Sequence, residues 1–182
     1  EDYFRLNEII LDKETSKDIF NKTLGWPYVV HLYMEAYKNK HTDADKTVLD
    51  KAYTFIENNV WLELSDDERQ FLATMSVFSS FNLNQCMKQT FLEEKMCLKL
   101  LNSIPLINYD EHTRRYSFNP MFDGFILQVL DEMPVDEVTK ITLRAADTNL
   151  DDGNYFEAMK LYSHSKAVSY THLRAHETSA HL

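Results

Sequence analysis

Little in this sequence bends or breaks a helix. Its 182 residues include only 3 glycines and 4 prolines. The long stretches between them carry apolar residues three and four apart, so the chain reads as mainly α-helical. Cysteine is scarce too, with Cys86 and Cys97 the only two. Both sit in apolar helical patterns, with no histidine at metal-ligand spacing. That excludes a disulfide scaffold and a zinc site, and leaves buried, reduced thiols in a cytoplasmic protein. No run approaches 18 apolar residues, so no segment is expected to span a membrane, and no secretory signal is visible. Positive charge is in short supply: 19 Lys and Arg stand against 29 Asp and Glu, a net charge of −10. A broad nucleic-acid surface needs a basic face and is excluded, although a local basic patch is not. No glycine-rich phosphate loop, nucleophile motif or placed acid–base pair occurs. His31, His41, His112 and His164 fall in separate elements. No active site and no metal site are expected within this stretch.

What is present is material for a core: 44% of the residues are hydrophobic and 13% aromatic. The organising stretch is Ser103–Phe125. Ile104, Leu106 and Ile107 form a short apolar run, and the charged connector Asp110–Arg114 follows. Tyr116 and Phe118 then alternate with Arg115 and Ser117 at strand period, which predicts a small β-hairpin. Asn119-Pro120 pairs a good N-cap with the residue favoured at the first helical position. Phe122, Phe125, Ile126, Val129 and Leu130 mark the stripe of a closing helix. Helices, then a hairpin, then a closing helix is the outline of a winged-helix domain.

Around it the chain divides. In 1–40, Glu1–Leu11 reads as the end of a helix, and Asp12 caps Lys13–Leu24, with Ile19, Phe20 and Leu24 inward. Gly25 suits the left-handed stop of that helix. Pro27 opens a third helix with Val30, Tyr33, Met34 and Tyr37 on one stripe. Residues 41–47 are a polar linker. The winged-helix unit, 48–133, begins with a helix opened by Thr47-x-x-Asp50, and Ser65-x-x-Glu68 opens the next. Short helices at Asn82–Gln89 and Glu93–Asn102 follow, the second with Met96, Cys97, Leu100 and Leu101 inward. Residues 134–167 are helical again, with Val138, Ile141, Thr142 and Ala145 along one side. After the turn at Asp151–Asn154, Tyr155, Ala158, Met159 and Tyr162 start a further helix of tetratricopeptide-like spacing. Residues 168–182 differ from everything before them. Val168–Thr178, VSYTHLRAHET, resembles a translated sequencing-library adaptor, so His172 and His176 are not read as metal ligands. The native sequence is expected to stop near Ala167, and the chain to be an internal piece of a longer protein.

Gly25-Trp26-Pro27 has a purely structural reading as a glycine stop, an aromatic anchor and a proline start. Asn119 likewise reads as a helix cap. Their joint order carries more. Thr23-Leu24-Gly25-Trp26-Pro27, Leu64–Leu72 (LSDDERQFL), Ser76-Val77-Phe78 and Tyr116–Phe122 (YSFNPMF) together resemble the large LuxR-type transcriptional regulators of the MalT kind, built on a STAND-class signalling NTPase. The resemblance runs from about Glu1 to Ala167. It implies that 1–40 are the C-terminal helices of the NTPase module, 48–133 the winged helix, and 134–167 the start of a sensor repeat.

In that family the proline of Gly-x-Pro packs against adenine, and a histidine opening the last winged-helix helix reaches the nucleotide phosphates. By resemblance Pro27 takes the first role, with Gly25 shaping the turn. Position 119 takes the second, with Asn in place of His: a neutral donor without the chargeable ring. The resemblance further implies ATP or ADP with Mg²⁺ in the parent protein, an inducer acting on the repeats, and inducer-driven self-association. It also implies DNA binding through a C-terminal helix-turn-helix. The phosphate loop, the Mg²⁺-binding acid and that helix-turn-helix are expected outside this piece, which should bind no nucleotide alone. The alternatives are a stand-alone DNA-binding winged helix and a helical interaction scaffold. For DNA, Asn82–Asn102 offers Lys88, Lys95 and Lys99 against Glu93 and Glu94, with Phe91, Leu92 and Met96 expected inward. That is too little positive charge to hold a duplex.

Overall fold

The computed structural model describes residues 2–39, 43–105 and 107–165. The chain is mainly helical with one small antiparallel sheet, and it forms two compact units. Leu106, His41, most of the expected linker's first half and the adaptor-like residues 168–182 lie outside the described residues.

The first unit comprises Glu1–Ser65 with Phe118–Phe125. It contains α1 (Asp2–Leu6), α2 (Lys13–Thr23), α3 (Pro27–Lys38), α4 (Ala44–Asn59), a 3₁₀ turn at Trp61–Glu63, and the start of α8 (Pro120–Glu132). Asp12 caps α2 as expected, its carboxylate accepting the Thr15 N–H at 2.7 Å. Pro27 occupies the first turn of α3, where its missing N–H has no helical partner to lose. α3 packs against α4, and Val29, Leu32, Tyr33 and Met34 of the one and Val48, Ala52 and Ile56 of the other are buried. A polar tie reinforces them. The Tyr33 hydroxyl donates to Asp45 at 2.8 Å, and Lys22 bridges Asp45 at 2.8 Å and Asp18 at 2.7 Å. Phe125 of α8 receives the rings of Tyr53 and Trp61, with centroids 6.1 and 5.8 Å away.

Several expectations need correction here. The expected helix through Leu11 stops at Leu6, where Glu8 adopts φ +63° and Ile10 lies 91% exposed. Phe20 and Leu24, expected inward, are exposed. In α3 the buried stripe is centred on Val29, Leu32 and Tyr33, and Tyr37 is exposed. The helix expected to begin after Thr47 begins at Ala44, within the expected linker. Asp43 is its cap, accepting the Lys46 N–H at 3.1 Å, while Thr47 donates back to the Asp43 carbonyl. α4 packs against α3, and the Lys22–Asp45 ion pair ties it to α2.

The second unit comprises Asp66–Ser117 with Ile126–Leu182, described to residue 165. It contains α5 (Asp66–Met75), α6 (Leu83–Thr90), α7 (Glu94–Ser103), the hairpin strands β1 (Ile107–Asp110) and β2 (Arg115–Phe118), α9 (Val135–Asp151), and the helix at residues 155–165, here α10. Phe71, Leu72 and Met75 bury the face of α5 that their spacing predicts, as do Ile141, Thr142 and Ala145 in α9. Asn82 and Gln85 close a reciprocal capping box on α6, at 2.9 and 3.0 Å. In the hairpin connector, Asp110 accepts the His112 N–H at 2.9 Å and the Thr113 hydroxyl at 2.8 Å. Arg114 then turns the chain at φ +54°. Phe81 adds a third segment beside β2, exchanging backbone hydrogen bonds with Tyr116 at 2.9 and 2.7 Å. Phe91 and Met96 are exposed instead of inward. Phe91 holds the left-handed C-cap of α6 at φ +59°, and the Arg144 guanidinium lies 4.5 Å from its ring.

Candidate functional site

The three candidate residues converge on the end of α2. Thr23, fully buried, donates its hydroxyl to the Ile19 carbonyl at 2.8 Å and accepts the Gly25 N–H at 3.1 Å. Its own carbonyl accepts the Trp26 N–H at 3.0 Å. Leu24 (φ +47°) and Gly25 (φ +75°) are both left-handed. Together they reverse the chain sharply enough for α3 to start at Pro27. A Cβ at Gly25 would meet only the Phe20 ring, at 3.6 Å. Backbone conformation therefore requires glycine there, whereas space does not.

Asn119 arrives from the other end of the unit. It is buried, caps α8 by accepting the Met121 N–H at 3.1 Å, and points its amide nitrogen at the Thr23 carbonyl, 3.5 Å away. The structural role expected of Asn119 as a cap is therefore present, together with a long-range contact that sequence reasoning did not include. Thr23, in the sequence only the first residue of the Thr-Leu-Gly-Trp-Pro motif, is the further residue that shapes this site. Its signal was a hydroxyl immediately before Leu-Gly, where it can serve both the last helical turn and the reversal.

Gly25 and Thr23 also line a cavity of ≈ 240 Å³ with Phe4, Ile19, Phe20 and Ser16. Pro27 and Asn119 are not among its lining residues. The walls are mostly apolar, with Tyr3, Ser16 and Thr23 carrying hydroxyls and no charged side chain. The Ser16 hydroxyl is buried with no hydrogen-bond partner. Such a cavity can take a flat apolar group and offer it one unused hydroxyl. It provides no charge for a phosphate and no acid or base.

Charge in this unit gathers around Asp45. Its hydrogen bond with Lys22 holds the Asp45 carboxyl below its ordinary value, aided by the Tyr33 hydroxyl against a smaller opposing effect of burial. Burial raises Tyr33 further, together with that same bond. Asp123, one turn after Asn119, is pushed up by burial. His31 is hydrogen-bonded to the Tyr3 hydroxyl at 2.7 Å. Among the described residues no group of three or more His, Cys, Asp or Glu could hold a metal ion, and no helix is long and apolar enough to cross a membrane.

The sequence matches no family model, and no curated protein matches it.

Proposed function

We propose that this chain is the middle of an ATP-dependent LuxR-type transcriptional regulator resembling the MalT kind, working in the cytoplasm. Residues 1–40 are then the helical end of a STAND NTPase module, the winged-helix unit is an intramolecular clamp on its nucleotide state, and residues 134–167 begin the sensor repeats. The observation that carries the reading is the approach of Asn119 to Thr23, two residues before Gly25. The two motifs that the family uses around adenine nucleotide are thereby neighbours, although 96 residues separate Asn119 from Thr23. Three further features support it. Gly25 reverses the chain just before Pro27, an apolar cavity lies against Gly25, and the Phe81–Tyr116 pairing supplements the hairpin as in a winged helix. The clamp would keep ADP bound until an inducer engages the repeats, after which the protein would self-associate on DNA. This chain supplies no catalysis; the phosphates and Mg²⁺ would be held by the parent protein's upstream loop and acid.

The rival reading, DNA binding by the winged helix itself, loses ground at α6. Lys88, one of its three lysines, is engaged with Asp152 at 2.8 Å. Phosphate contacts from the rest would be few and salt-sensitive. Reading the gene upstream of the codon for Glu1 tests the proposal. A G-x-x-x-x-G-K-[ST] loop is expected in the same frame, and an upstream frame without one would overturn it.

A further inference from the structure

A second cavity, of ≈ 260 Å³, lies within the second unit between the α5–α6 connection, β2 and α10. Its walls include Ser79, Ser80, Arg115, Asn149, Asn154 and Glu157. Unlike the cavity beside Gly25, it is a polar site that holds a cation. Arg115 is fixed in place: its Nε donates to the Ser80 hydroxyl at 2.9 Å, and one terminal nitrogen donates to the Ser80 carbonyl at 2.5 Å and to Gln85 at 3.2 Å. These acceptors are all neutral. Among the described residues no carboxylate pairs with Arg115, and its Nη1 makes no hydrogen bond. A half-buried guanidinium bonded only to neutral acceptors, with Glu157 on the cavity wall but not paired to it, favours an anionic partner. The opposite wall suits an uncharged hydrogen-bonding group. Asn149 is buried, donates to the Ala145 carbonyl at 2.9 Å, and accepts from Asn154 at 3.5 Å. Asn154 lies just before the first turn of α10, where free N–H groups carry positive partial charge.

We propose that this cavity binds a small hydroxylated monocarboxylate, its carboxylate on Arg115 and its hydroxyls toward the serines and asparagines. Charge matching favours a monoanion over a phosphate. Only the Nη1 amino group of the guanidinium is uncommitted, and Glu157, partly offset by Lys160 at 3.8 Å, would oppose a second negative charge. The volume fits, since one water occupies about 30 Å³ of the liquid. Occupancy would join β2 to the start of α10. The inference stands independently of the nucleotide reading, because no residue is shared with the cavity beside Gly25.

The test is ligand-observed saturation-transfer NMR on the 182-residue chain with lactate, gluconate and inorganic phosphate. Lactate or gluconate should show saturable transfer, and phosphate weaker transfer or none. Ser79 is exposed and makes no hydrogen bond within the described structure, so Ser79→Asp places a carboxylate at the wall while leaving the melting temperature within about 1 °C. That variant should weaken the response about tenfold or more, since a like charge near the bound carboxylate repels it. Arg115→Lys should weaken it as well, because the charge remains but the contacts to Ser80 and Gln85 that hold Nη1 in place are lost. Absent transfer, tighter phosphate binding, or an unchanged response in a folded Ser79→Asp chain would each overturn the proposal.

Discussion

Asn119 and Thr23 lie 96 residues apart in sequence, and the amide nitrogen of one sits 3.5 Å from the carbonyl oxygen of the other. The same amide group caps α8 through its oxygen. Two roles on one side chain can be separated by substitution. Asn119→Ser keeps a capping oxygen and loses the reach to Thr23; Asn119→Ala loses both. Ser should cost under about 1 kcal/mol and Ala about 1 kcal/mol more. Urea denaturation of the chain measures the difference, and equal losses would remove the cap from the account.

Gly124 sits inside α8, where alanine would ordinarily be better by up to about 1 kcal/mol. Here a Cβ would fall 2.3 Å from the Tyr53 hydroxyl and 3.4 Å from the ring carbon that carries it. Gly124→Ala should therefore lower the melting temperature, and Tyr53→Phe in the same chain should recover most of the loss. A double-mutant cycle reads this coupling. Additive effects would mean that the helix shifts to make room.

Much of this fold is legible from spacing. Asp12, the α5 stripe, the hairpin and the α8 stripe all follow from local chemistry, because a cap or a period is written within a few residues. The failures share a cause. Phe20, Leu24, Tyr37 and Met96 obey helical spacing but are exposed, since the residues that would cover a stripe are not encoded in the stripe. The start of α4 was misplaced because Thr47-x-x-Asp50 imitates a capping box, while Asp43, four residues earlier, forms the actual cap. At the candidate site the turn residues Gly25 and Pro27 were legible. The approach of Asn119 to Thr23 was not, because it depends on how α8 packs.

The Lys22–Asp45–Tyr33 cluster gives unit-one stability a pH signature. Asp45 titrates below its ordinary value of 3.8, mainly through its bond with Lys22. Its contribution is therefore present above that value and is lost as pH falls through the folded pKa. Lys22 is raised: burial pulls it down, but its bonds to Asp18 and Asp45 outweigh that. Its contribution holds below its ordinary value of 10.5 and fades as pH rises past the folded pKa. Both side chains are partly exposed, so screening keeps the effect small. Asp45→Asn should flatten the acid limb below about pH 4 and reduce, without abolishing, the alkaline loss due to Lys22, because Asp18 still holds it at 2.7 Å. Urea midpoints across pH supply the measurement, and an unchanged acid limb would exclude Asp45 as its source.

Cys86 and Cys97 are fully buried. Burial first, and then the neighbouring Cys97 thiol, push Cys86 above its ordinary value. Both should resist iodoacetamide in the native chain at pH 8 and react only on unfolding, since the thiolate is the nucleophile. Rapid native labelling of either would contradict the burial.

If Asn119 faces the nucleotide in the proposed parent protein, the ADP affinity of the full-length protein depends on the charge at position 119. Asn119→Asp and Asn119→Ser both retain a capping oxygen, so any difference between them reports charge. A carboxylate about 4 Å from a phosphate charge, at an effective dielectric near 20, is repelled by at most about 4 kcal/mol. Even a third of that weakens ADP about tenfold. Asn119→Asp is expected to lose about tenfold or more in ADP affinity relative to Asn119→Ser, with transcription raised in the absence of inducer. Equal ADP affinities and unchanged basal transcription in two equally folded variants would reduce Asn119 to a helix cap and contradict the clamp.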